Sequence, residues 1–412
     1  MKKNLKIFLI FLSIGNIFAS GGTIYTRYGV GDLYYYNTAA KLSLGGVGTA
    51  ILNNDLLNLN NPATWGSITD TKLGLNLITN YSGISSNSSS TNFSEVKFSG
   101  FQLGLPVERD LGIGFVFGFT PYSTINYDIS NKYLQGEVNS YIQDFKGSGG
   151  LSKIFFGFST LLPFNFSVGA TFEYYTGNSK YETQIVYDDS SDFTDSYFTS
   201  ELKYKGLGST LGFLTPNLSN IFGNEIIKNF RLGLSYEIGT KLNTDSSSYA
   251  TTSLGKKVFG SKSFKSEIPA KLSAGLYLSL SKFNIILDYV NQPWSEFVQN
   301  DKKMLNLKDM NRYSLGIEYD QQVKKFATFW ELVKYRFGLS YEQTQYTFNG
   351  EDINQIAVHS GISFPLGTEN SIDLGLMYGI RGTTNNNLLK ENIFQATFSI
   401  NFGELWFVRQ DR

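Results

Sequence analysis

His359 is the one histidine of the 412-residue chain, and it stands beside Ser360. A serine–histidine mechanism needs a hydrogen bond between the two side chains and a third group that orients the imidazole. The surrounding QIAVHSGISF reads as a strand, in which neighbours point to opposite faces, so His359 and Ser360 cannot form that pair. No Gly-x-Ser-x-Gly turn presents another serine as a nucleophile. Zinc chemistry fails as well, because the chain has no cysteine to complete a ligand set. Asp188-Asp189 and Glu351-Asp352 carry oxygens that suit Ca²⁺ but lack the spaced pattern of a dedicated loop. Gly29-Val30-Gly31 and Gly45-Gly46-Val47-Gly48 do not lead from a strand into a helix that begins with Lys-Ser/Thr, so they read as turns or close-packed backbone. The expectation is a protein that is not an enzyme, with no metal and no cofactor.

Lys+Arg and Asp+Glu both number 35, so no net field draws in nucleic acid. Lys256-Lys257, Asp301-Lys302-Lys303 and Lys324-Lys325 read as loop charge, suited to solubility or to surface lipopolysaccharide. These residues have to be carried by short stretches that alternate apolar with small or polar positions. KLGLNLITNYS, FRLGLSYEIG, KLSAGLYLSL, NIILDYV and YRFGLSYEQ share that period of two. About fourteen such strands can be marked, with no helical block between them. Lys2, Lys3 and Lys6, the apolar run Ile7 to Gly15, and Ala19-Ser20-Gly21 compose an export signal, too short to span a bilayer.

Behind such a signal, half-apolar strands are best served by a closed barrel with lipid outside and a polar lumen. Mean hydropathy of −0.16 together with 16% aromatic residues fits that solution, since only alternate positions need be apolar. A soluble β-sandwich is the architectural rival. The expected organisation is a signal peptide over 1–20, an irregular N-terminal plug over 21–71, and an antiparallel barrel over 72–412. The irregular segment could equally be a periplasmic extension. Tight connections at Pro106 to Asp110, Leu162 to Asn165, Ser281-Lys282 and Gly367 to Asn370 alternate with longer polar ones, among them Gly83 to Asn92 and Asn243 to Ser263. Residues 122 to 150 read either as a long loop or as an extended hairpin.

One stretch breaks the rule of a continuous wall. GIGFVFGFTPYST keeps Ile113, Phe115, Phe117 and Phe119 on one face and then meets Pro121, which cannot donate to a ladder. Upstream, the apolar parity shifts at Ser99-Gly100, as a bulge would produce. Gly100, Gly118 and Pro121 therefore mark either plain strand ends or a gap in the wall.

Gly45-Gly46-Val47-Gly48 followed by Asn60-Asn61-Pro62-Ala63 resembles the N-terminal hatch of the FadL-type outer-membrane transporters of hydrophobic compounds. IPAKLSAGLYL and the ending KENIFQATFSINFGELWF are similar to strands of that family. The resemblance implies a fourteen-stranded barrel with an N-terminal luminal plug, shaped by Gly45, Gly46, Gly48, Asn61, Pro62 and Ala63. It also implies passive transport of a hydrophobic small molecule with lateral escape to outer-membrane lipid, through lining residues it does not name. The chain departs from the pattern by continuing past Phe402 and Phe407 to Arg412. A general polar porin, or an outer-membrane component of a protein secretion or assembly system with its own protein partner, are the alternatives.

Overall fold

The computed structural model describes residues 23–35, 38–52, 57–133, 141–187, 194–223, 226–319, 328–367 and 369–404. The expected signal peptide, Asp188-Asp189, Lys324-Lys325 and Phe407 lie outside these residues.

Among the described residues, twenty strands form one antiparallel sheet. They are β1 (Asp32–Leu33), β2 (Thr71–Ser85), β3 (Ser90–Glu108), β4 (Ile113–Pro121), β5 (Ser123–Tyr133), β6 (Tyr141–Leu161), β7 (Ser167–Tyr187), β8 (Ser196–Leu214), β9 (Ile227–Glu237) and β10 (Thr240–Thr252). They continue as β11 (Gly255–Ile268), β12 (Lys271–Leu280), β13 (Phe283–Gln292), β14 (Val298–Gln299), β15 (Lys302–Lys303), β16 (Met310–Tyr319), β17 (Lys334–Phe348), β18 (Glu351–Pro365), β19 (Ser371–Gly382) and β20 (Lys390–Glu404). In three places a barrel strand is two of these end to end: β4 with β5, β9 with β10, and β11 with β12. With β1, β14 and β15 set aside, that makes a closed barrel of fourteen strands. Closure is made by β20, which pairs with β19 on one side and with all of β2 on the other, from Thr71↔Glu404 to Ser85↔Lys390.

The side chains sort in the opposite sense to a soluble sandwich. Phe337 and Ile356 are 61% and 60% exposed, whereas Arg336, next to Phe337 on β17, is 1% exposed and faces inward. On β4, Phe115 and Phe117 are exposed while Val116 and Thr120 are buried. Apolar out and charged in is a stable arrangement only when lipid surrounds the wall. β13 and β16 are ten residues each, the span a tilted strand needs to cross the apolar core of a bilayer.

Three expectations are corrected in detail. Asn243 to Ser263 is not a loop but the β10–β11 hairpin, because a backbone ladder needs no apolar side chains, and β11 is exposed on both faces over Gly255 to Ser263. Lys256-Lys257 thus lies on β11, and Lys302-Lys303 forms β15, instead of lying in loops. Gly83 to Asn92 shrinks to the turn Ser86 to Ser89 between β2 and β3. The open choice at 122 to 150 resolves as the β5–β6 hairpin.

Candidate functional site

Residues 38–52 and 57–67 pack against the inward face of the barrel, and Gly45, Gly46, Gly48, Asn61, Pro62 and Ala63 mediate the contact. A short helix, Ala39–Ser43, starts on Thr38, whose hydroxyl accepts from Lys41 N. It ends at Gly45 and Gly46, both left-handed (φ 73° and 87°), with Gly46 N bonded to the Lys41 carbonyl at 2.9 Å. Arg312 on β16 donates to the Gly45 carbonyl at 3.0 Å. Gly48 N donates to Asp288 Oδ2 on β13 at 2.8 Å. Asn61 caps the 3-10 turn Pro62–Ser67 through its Oδ1, which accepts Ala63 N at 3.0 Å. Its Nδ2 donates to Thr49 O at 2.7 Å and to Phe213 O on β8 at 3.0 Å, tying two parts of the segment to the wall. Pro62 and Ala63 are buried against β7 and β8, and Ser167 Oγ holds the Ala63 carbonyl at 2.5 Å.

The wall answers with glycine at inward positions. A Cβ on Gly212 would stand 2.1 Å from Asn61 Oδ1, on Gly169 2.5 Å from the Pro62 carbonyl carbon, and on Gly338 2.4 Å from Gly45 N. Gly233, Gly275 and Gly361 meet Thr49 and Ser43 as closely. One small residue per strand lets the segment's backbone touch the wall's, a contact any side chain would forbid. The alternation of Gly with Leu that marks these strands in the sequence therefore records a seat as well as a lipid face.

His359 also meets this segment. Its Nε2 lies 2.9 Å from Ser340 Oγ on the neighbouring strand β17, and its other nitrogen faces the carbonyl of Leu42 in the short helix. Sequence adjacency to Ser360 gave no sign of that cross-strand partner. The pair is sealed under Leu42, which is fully buried, and works as a clasp between wall and helix.

The interior above the seat is charged. Arg381 is held by Asp32 (2.7 Å) and Glu391 (2.6 Å), Arg312 by Glu342 (3.1 Å), and Arg336 by Glu318 (2.7 Å). Lys153 bridges Glu173 and Glu237 at 3.0 and 3.4 Å, and Lys271 also reaches Glu237. Pairing of this kind satisfies charges that burial alone would expel. None of these residues stood out in the sequence, because single inward charges on alternating strands look like surface charges until the lumen is closed.

The wall is interrupted beside this interior. β3 pairs with β4 only from Glu108↔Ile113 to Phe101↔Phe119, although it stays paired with β2 up to Ser90. Ser99 is the extra residue of a bulge, since Asn76 faces Gly100 and Leu77 faces Phe98. Gly100 (φ 111°) lies 2.3 Å from Phe119 O at its Cβ position, so only glycine fits. Beyond Pro121 the chain leaves β3, and Tyr122 N bonds to Leu151 O at 2.8 Å. β5 then takes β1 as its neighbour instead, with Asp32↔Thr124 and Leu33↔Ser123. Gly118 sits within β4, where a side chain would strike Phe101 O and the Phe155 ring, so its place is one of packing. β6 follows the kink at Gly149-Gly150, both at positive φ (114° and 138°).

Between β3 and β5 only side chains bridge: Lys97 donates to Thr124 Oγ at 2.7 Å and Asn126 to Glu95 Oε1 at 3.0 Å. Behind this split lies a cavity of about 150 Å³, running from Ser94, Glu95 and Asn126 inward to Asp32, Arg381 and Glu391. A second cavity of about 100 Å³ lies under Pro121 and Tyr122, next to Lys41, Lys153 and Asp288. Among the described residues no cluster suits a metal ion.

A closed antiparallel barrel of fourteen strands is the fold that this chain shares with FadL-like barrels. The chain belongs to the BamG family, whose match covers residues 1–411. No curated protein sequence matches it. Among solved structures it is similar to the Ralstonia pickettii toluene transporter TbuX, with a TM-score of 0.61 at 16% identity, over 89% of this chain and 98% of that one. It is similar to the CymD monoaromatic hydrocarbon channel with a TM-score of 0.57 at 17% identity, covering 92% and 99%. A Pseudomonas aeruginosa FadL homologue gives 0.58 at 11% identity, covering 88% and 97%. At these identities the shared property is the fold. The FadL resemblance read from the sequence is thus a likeness of architecture, and the family match is BamG.

Proposed function

We propose that this chain is a passive transport barrel of the bacterial outer membrane for molecules that partition into lipid. On this reading residues 1–20 are a cleaved signal peptide, 21–71 a plug, and 72–412 the barrel. The observation that carries it is the split between β3 and β5, which adjoins a luminal cavity on one side and the bilayer on the other. A molecule leaving lipid for water loses about 0.8 kcal/mol per CH₂, so a sideways path that never leaves lipid lowers that barrier. The plug blocks a straight passage, and Gly100 with Pro121 shapes the gap. Outer-membrane lipid and lipopolysaccharide are the surroundings of this route. The test is transfer of a lipophilic fluorophore between the faces of vesicles carrying the reconstituted chain. Faster transfer than in empty vesicles, without steady ion conductance, is the expected result; steady conductance would point to a porin.

A second reading, an outer-membrane component of a protein secretion or assembly system, is favoured by a different observation. The lipid-facing wall carries an apolar groove of about 670 Å³ between Leu276, Leu287, Tyr289, Tyr313, Leu339 and Val358, larger than either luminal cavity. A photo-crosslinking residue at Val358 in cells would give one discrete protein adduct on this reading and only lipid adducts on the first.

A further inference from the structure

The cavity behind the split is lined by more acidic than basic side chains. Three carboxylates from different elements converge on it, Asp32 on β1, Glu342 on β17 and Glu391 on β20, against two guanidinium groups, Arg312 and Arg381. At the rim, Glu95 is matched by Lys97 at 2.6 Å, which leaves the inner count unaltered. Glu391 is 1% exposed, and both contacts from Arg381, at 2.7 and 2.6 Å, go to its Oε2. Its Oε1 meets no donor at hydrogen-bonding geometry, and the Thr23 hydroxyl stands near without closing that bond. The Tyr346 hydroxyl, on a residue with no exposure, lines the same cavity beside Asp32 and Gln345. A buried carboxylate oxygen without a donor is costly, and of the donors that relieve it a cationic one does so most strongly.

We propose that this cavity is a binding site for a primary ammonium group, whose amphiphilic owner keeps its chains in the bilayer outside the split. The inference rests on the split being a passage, as proposed above, and it names the class of molecule that uses it. The volume, about 150 Å³, holds a few water-sized groups, enough for an aminoethyl head and too little for an acyl chain. The ammonium donates to Glu391 Oε1, with Asp32 and Glu342 completing the negative side. Tyr34 and Tyr346 turn aromatic and hydroxyl surface to the same space. The hydrocarbon then lies along exposed Val96 and Phe98 on β3, on the lipid side of the same strand edge.

The experiment uses the full chain in nanodiscs of equal phosphatidylethanolamine and phosphatidylglycerol, with retained lipid identified by native mass spectrometry. The expected result is at least fivefold enrichment of the ethanolamine lipid over the bulk ratio, reduced to the bulk ratio by Glu391→Gln. Equal retention of both headgroups overturns the proposal, as does unchanged enrichment in Glu391→Gln. Should that variant not assemble, Asp32→Asn removes a charge from β1, outside the fourteen barrel strands, and is judged by the same two outcomes. Competition separates the sources of the ammonium. Displacement by a bilayer-borne long-chain alkylamine alone assigns entry from lipid, and displacement by dissolved ethanolamine assigns entry from the mouth. Displacement by neither overturns the site. Transport is not read here, so a failure of the transport reading leaves this result standing, and a failure here leaves transport with a different solute.

Discussion

Thr49 gives both its N–H and its hydroxyl to one oxygen of Asp288, at 2.9 and 2.8 Å, and Gly48 N adds a third bond to that same Oδ2 at 2.8 Å. A wall carboxylate thus grips the luminal segment through two consecutive backbone amides. The turn that presents those amides depends on Gly45 and Gly46 upstream, which end the short helix and aim the next residues at β13. Asp288 faces inward from the centre of its strand, so this grip sits within the membrane-spanning height of the barrel.

Asp288→Ala removes all three acceptor contacts at once. Hydrogen bonds to a charged group contribute about 1.5–3 kcal/mol each, although the amides freed here regain water. The expected outcome is a barrel that still assembles but seats its segment loosely. Planar-bilayer recordings should show ion conductance well above that of the wild-type chain, and limited proteolysis should cut between 38 and 67. Wild-type conductance in a properly assembled variant would mean that Asp288 is not the grip.

Gly338→Val tests the seat from the other side. Valine suits a strand, so the barrel has no reason to fail, yet its Cβ would stand 2.4 Å from Gly45 N. Overpacking of this kind costs about 1–3 kcal/mol, enough to displace a short segment without unfolding the wall. Conductance should rise as for Asp288→Ala while heat-modifiable migration stays wild-type. The same change at Gly83 on β2, whose Cβ position meets only the end of the Asn92 side chain at 3.2 Å, should leave conductance alone.

Lys41 supplies a pH dependence. It lies in the luminal helix beside the second cavity, and its pKa is pushed down to about 7, first by burial and then by the positive charges of Lys271 and Arg312, with Asp288 opposing. In the released segment the ammonium has its ordinary pKa, about 10.4. Below pH 7 both states are protonated and the seated one carries the full penalty of a disfavoured charge. Between pH 7 and about 10 the seated lysine has lost its proton while the released one keeps it, so seating strengthens as pH rises. Protection of 38–67 from protease should therefore be greater at pH 9 than at pH 6, and Lys41→Met should flatten that difference. Stronger protection at pH 6 would contradict the sign.

The barrel was legible in the sequence because lipid imposes one rule on every strand, apolar at alternate positions, and that rule survives in KLGLNLITNYS or YRFGLSYEQ without knowledge of any partner. The β10–β11 hairpin was not, since solvated strands obey no such rule and TDSSSYATT reads as loop. The parity shift at Ser99-Gly100 was visible because a bulge moves apolar residues from one face to the other. What stayed hidden were relations between distant strands. Nothing near Asp288 announces Thr49, and nothing near Glu391 announces Arg381 and Asp32, which converge only once the barrel closes. The GSGG run at 147 to 150 was a signal for the kink of β6 that alternation alone passed over.

The split in the wall makes the last prediction. Because β5 has exchanged β3 for β1, no backbone ladder closes the space between Glu95 and Asn126, and only side chains bridge the two strands there, Asn126 to Glu95 at 3.0 Å and Lys97 to Thr124 at 2.7 Å. Cysteines at these two positions, joined by a short bifunctional thiol reagent with a cleavable centre, would replace that weak bridge by a covalent one. The wall's pairing is untouched, so unfolding temperature should change little. Transfer of the lipophilic fluorophore should fall to the level of empty vesicles after joining and return after cleavage, while each single cysteine variant treated alike transfers at the wild-type rate. Full transfer in the joined protein would show that molecules do not pass between β3 and β5, and any route would then have to run through the seated segment, where Asp288→Ala and Gly338→Val should raise the transfer rate instead.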